Sequence, residues 1–162
     1  FWPVWSVWWT GDAMGVLVVA PVLLSLNRFR WRRGVPARRW VEGAALAVSV
    51  LVLTVAVTST ALCLLFLVFP FVVWAALRFE MGGAALCVLV VSAIAIRAAA
   101  SGDGPFAGQD LLVQMVTLQA FNGSVALTGL LLAAITTERS RAFQILELGW
   151  KQLSDVVTEL ER

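Results

Sequence analysis

The chain has 162 residues, 60% hydrophobic and 14% charged, with a mean hydropathy of +0.89. A soluble domain is roughly 45–50% apolar and about 25% charged, and one this small has too much surface to hide so apolar a sequence; the composition excludes an ordinary water-soluble fold and implies a lipid bilayer as solvent. The net charge of +2 says little by itself, but its distribution does: Arg28, Arg30, Arg32, Arg33, Arg38 and Arg39 crowd one stretch between apolar runs.

Trp2, Trp5, Trp8 and Trp9 open the chain. Indole rings favour the membrane–water interface, and the spacing of Trp2, Trp5 and Trp9 puts three rings on one helical face; Trp5 and Trp9 are the expected interface anchors. A first span over residues 10–26 follows, with Pro21 inside it. The Arg-rich stretch then reads as a cytoplasmic loop under the positive-inside rule, in contact with anionic lipid rather than nucleic acid, with Arg32 and Arg33 as further anchors.

The next apolar stretch, residues 41–79, is about twice the ~20 residues that one crossing needs. It divides into spans 41–58 and 61–79, with the turn at Thr58, Ser59 and Thr60, whose hydroxyls can satisfy freed backbone groups. Pro70 is expected to kink the second of these. Arg78 returns the chain to the inner interface, snorkelling and pairing locally with Glu80.

A fourth span covers residues 82–98. The loop at 101–110 carries Gly, Pro and two Asp but no Lys or Arg, which assigns it to the outside, and Asp110 suits a helix N-cap. A fifth span covers residues 111–137, and Glu138, Arg139 and Arg141 mark its inner end. Beyond it, Ala142, Leu146, Gly149, Leu153, Val156 and Leu160 alternate at spacings of four and three, the a/d pattern of a coiled coil. The expected fold is therefore an all-α integral membrane bundle of about five transmembrane helices (residues 1–137). The last helix continues into the cytoplasm (residues 138–162), where it either pairs two copies through 142–160 or packs its apolar face on its own domain.

The chain has neither His nor Tyr, and shows no phosphate-binding glycine loop and no nucleophile elbow. No cofactor or metal site is expected, and Cys63 and Cys87 read as small buried hydrophobes. Catalysis is not expected; sensing, transport and assembly remain. Ionisable residues inside spans are expensive and are functional candidates. Asp12, within Gly11-Asp12-Ala13-Met14-Gly15, reads either as a structural carboxylate or as a signal-responsive one, and Gly11 and Gly15 permit close helix approach. Arg97 lies at a similar depth, which suggests an Asp12–Arg97 pair; snorkelling is the alternative. In the fifth span Gln114, Thr117, Ser124 and Thr128 form one polar stripe and Gln119 and Asn122 a second, both expected to face the bundle interior, where they either bond across helices or, with Asp12 and Arg97, respond to a ligand or signal.

Several blocks, in order, resemble the first type of membrane-associated sensor domain, the MASE family. They are WWTGDAMGVLVVAP from Trp8, FPFVVWAALRFEMGGAAL from Phe69, GPF from Gly104, LQAF from Leu118 and LLLAAITTERSRA from Leu130. Glu80 departs from the pattern, where the family often has Gly. The family domain is usually longer, which implies that roughly three spans precede Phe1 in a longer polypeptide.

The resemblance implies an input domain of a bacterial signalling protein in the inner membrane. Such a domain precedes a histidine kinase or a cyclic-di-GMP enzyme that would follow residue 162. The stimulus stays open between a small molecule, a lipid property and a partner membrane protein. A transporter fragment or a structural subunit of a membrane complex is the alternative.

Overall fold

The computed structural model describes residues 2–29, 37–60, 64–102, 104–106, 108 and 110–160. They form four helices: α1 (Trp2–Phe29), α2 (Ala37–Ser59), α3 (Phe69–Ser101) and α4 (Leu111–Leu160), with short 3-10 turns at Leu65–Val68 and Gly104–Phe106. No strand occurs among the described residues. Four helices are long and apolar enough to cross a membrane, against the five spans expected; the difference lies in α3, which takes in both the third span and the fourth.

α3 is not straight. Glu80 has φ 55° and ψ −147°, outside helical geometry. Val72 Cγ1 and Val88 Cγ2 stand 2.8 and 2.9 Å from where a Cβ on Gly129 would be, whereas on one straight helix residues 72 and 88 would be roughly 24 Å apart. Ala76 and Ala84 likewise share one buried cluster with Ala133. Each pair is centred on Glu80, so the two halves of α3 lie side by side and both pack against α4. A Cβ on Gly83 would collide with Phe79, so the reversal closes only because residue 83 has no side chain. Residue 80 occupies backbone space that glycine enters freely and other residues enter at a cost.

The remaining elements follow local rules. Pro70 stands in the first turn of α3, where its missing N–H is no loss and its fixed φ starts a helix; the kink expected there is corrected to a helix start. Thr58, Ser59 and Thr60 turn their hydroxyls back onto the carbonyls of Thr54, Ala56 and Val57 at 2.8, 3.0 and 3.2 Å, the self-satisfaction expected of hydroxyls ending a helix in lipid. Gly102, at φ 70°, closes α3 with its N–H on the carbonyls of Ala98 and Ala99, the left-handed glycine cap. Asp110 precedes α4 and its carbonyl accepts the Gln114 N–H at 2.9 Å. Its position is that of an N-cap, although no hydrogen bond involves its carboxylate.

The core is built from small and β-branched side chains: Val72, Ala75, Val88, Val91, Val125 and Ala126 are wholly buried. Without a hydrophobic drive between helices in lipid, such residues bring backbones close enough for dispersion to hold them. Phe106 is 1% exposed: the short loop plugs the end of the bundle, and a Cβ on its Gly104 would collide with the Thr58 carbonyl at the end of α2. α4 then leaves the bundle: every described side chain from 141 to 148 is exposed.

Candidate functional site

α1 docks loosely against the rest. Between it, the second half of α3 and α4 lies a half-open cavity of about 210 Å³. Gly11 and Gly15 create the space on α1: a Cβ on Gly15 would meet nothing within 4 Å, and one on Gly11 only Gln119 Nε2 at 3.8 Å. Met14, Leu89, Ile96 and Leu118 give it apolar walls, and Ser92, Gln119 and Asn122 bring polar groups to it.

Ser92 Oγ, Gln119 Oε1 and Asn122 Oδ1 are buried without a hydrogen-bond partner. Ser92 is 2% and Asn122 3% exposed. Leaving a buried polar group unpaired costs about 1–3 kcal/mol. Elsewhere the chain avoids that cost: Ser49, Thr54, Ser124, Thr136 and Thr137 each bond the carbonyl four residues back. Ser92 does not, which singles it out. Sequence reasoning passed over Ser92, although it is the sole hydroxyl among residues 82–98.

The expected site residues divide. Gln119 and Asn122, the second stripe of the fifth span, both line the cavity. The first stripe does not act as a unit: Ser124 is exposed, and Gln114 reaches α3 instead, donating from Nε2 to the Ala99 carbonyl. That bond gives a carbonyl in the last turn of α3 a second donor beside the Gly102 N–H and makes Gln114 a structural clamp.

Asp12 and Arg97 are both exposed and no ion pair joins them; their neighbours Gly11 and Ile96 line one cavity, and neither charged residue does. Arg78 pairs not with Glu80 but with Glu42 of α2, Nε and Nη2 both donating to Oε2 at 2.9 and 2.6 Å. Arg38 donates to the other oxygen of Glu42 at 3.2 Å. Glu42 was missed because its partner is 36 residues away in sequence.

Trp5 and Trp9 stack with centroids 6.2 Å apart, and Trp2 meets Trp5 edge-on at 5.8 Å, so the three rings do share a face. Arg32, Arg33 and Cys63 lie outside the described residues; Cys87 is buried and free. Among the described residues no group of three His, Cys, Asp or Glu side chains is arranged to hold a metal ion.

Long apolar helices, buried small residues and polar groups turned inward define a multi-pass membrane protein. The family model for MASE1 matches residues 1–140. The chain belongs to the MASE1 family, membrane-associated sensor domains of signalling proteins. No curated protein matches the chain, and no solved structure does.

Proposed function

We propose that this chain is the membrane input module of a bacterial signal-transduction protein and that α4 carries its state out of the bundle. The observation that carries the reading is the single helix Leu111–Leu160. Its first half is built into the core through Leu118, Phe121, Val125, Ala126 and Ala133, while Phe143, Leu146, Trp150 and Leu153 are exposed. A helix fixed at one end and bare at the other transmits rotation or translation from one to the other.

In this reading the two halves of α3 each cross the bilayer, giving five crossings. The Arg-rich segment 28–39, the reversal at Glu80 and the far end of α4 then share the cytoplasmic side of the inner membrane, in accord with the positive-inside rule. The apolar stripe over 142–160 pairs with a second copy in parallel, and a histidine kinase or cyclic-di-GMP enzyme takes its state from that pair.

Insertion of one to seven alanines after Arg141 in the intact signalling protein tests the relay. Each residue turns the downstream helix by roughly 100°, and seven restore the heptad phase. Output should be lost or locked at intermediate insertions and return at seven. Output indifferent to phase overturns the reading.

A further inference from the structure

We propose that the cavity between α1, the second half of α3 and α4 binds a small neutral molecule with an apolar body and one hydrogen-bond donor. The inference rests on the sensor reading and gives it a ligand class. Ser92 Oγ, Gln119 Oε1 and Asn122 Oδ1 are three oxygens without partners, and all three residues line the same space. Oxygens left this way ask for a donor, and a ligand that supplies one recovers the cost of burying the oxygen that accepts it.

The rest of the wall is apolar: Met14, Val18, Leu89, Ile96 and Leu118. Water satisfies such a site poorly, because each water needs two to four polar partners and the polar groups serve only part of the volume. No charged side chain lines the cavity, and Asp12 and Arg97 turn outward, so an ion is disfavoured.

Size narrows the class further. A dry cavity of about 150 Å³ takes benzene and drug-sized ligands need about 300 Å³ or more, so about 210 Å³ fits a one- or two-ring body. Gly11 and Gly15 then have a role beyond helix approach: they are the floor on which that body lies.

The test is fluorine NMR titration of the intact protein in lipid nanodiscs with two probes of nearly equal shape. 5-Fluoroindole carries an N–H donor, and 5-fluorobenzothiophene has none. The indole probe should saturate a site, while the benzothiophene probe only partitions linearly with lipid. Gly15→Leu fills the cavity and should abolish saturation. Of Ser92→Ala and Asn122→Leu, the one that removes the oxygen accepting the N–H should weaken it about fivefold, one hydrogen bond's worth.

A second measurement guards against misfolding. Without ligand, Asn122→Leu removes an unpaired polar group and should leave the thermal midpoint unchanged or higher. A lower midpoint would mean that Asn122 is already bonded and would overturn the premise. Equal behaviour of the two probes, or saturation that survives Gly15→Leu, overturns the proposal, as does the absence of any saturable site, which would leave the cavity to a side chain of another membrane helix. Binding is read here without output, so failure leaves the alanine-insertion result standing.

Discussion

The seam between α3 and α4 and the seam between α1 and its neighbours are made from the same kinds of residue and differ in tightness. At the first, Gly129 sits between Val72 and Val88 with no room for a methyl. At the second, Gly15 faces open space and a cavity remains. The spanning part of α1 is 11% buried, that of α3 50%. A glycine on a helix face therefore does not by itself mean close packing; what faces it decides whether it is a seat for a neighbour or a gap. The tight seam holds the fold, and the loose one leaves room for a response.

The largest test of this contrast is a matched pair of substitutions. Gly129→Leu forces a side chain into two valine methyls and should cost about 3 kcal/mol or more, seen as loss of folded protein on purification. Gly15→Leu should change the unfolding midpoint little; an equal loss would show the second seam to be as tight as the first. Next in size is Glu80→Gly, which relieves a backbone conformation that costs a non-glycine residue about 1–3 kcal/mol. Its thermal midpoint should rise, and a fall would show that the Glu80 side chain does something the fold needs. The smallest effect belongs to the Glu42–Arg78 pair. Pairs with this much solvent contact contribute little, so Glu42→Gln and Arg78→Gln should each lower the midpoint slightly and the double variant no more than either alone.

The same contrast explains what was readable from sequence. Two helix ends followed from local chemistry: the hydroxyl run at 58–60 and the position of Asp110 stand where the residues alone put them. Gln119 and Asn122 drew notice because amides in an apolar span have few other uses. Hydropathy fixes depth but not direction around a helix axis, and so it suggested an Asp12–Arg97 pair whose members face away from the cavity they flank. It also offered Glu80 to Arg78 because Glu80 is near in sequence, whereas Glu42 is near in space. Pro70 misled for a related reason: a proline inside a long apolar run looks like a kink until the helix is seen to start there. Glu80 had already stood out as a departure from the resemblance, and its positive φ makes it a position that glycine would occupy more easily.

The length of α4 has a mechanical consequence. Its seat in the bundle, Leu118 to Ala133, spans about 22 Å, and the stretch from Ala133 to Leu160 adds about 40 Å. A stiff rod held this way is a lever with unequal arms. Tilting the seat by one ångström from end to end swings the tip by nearly two. A displacement no larger than the give in a loosely packed helix pair is thereby enlarged before it leaves the helix, without any added moving part.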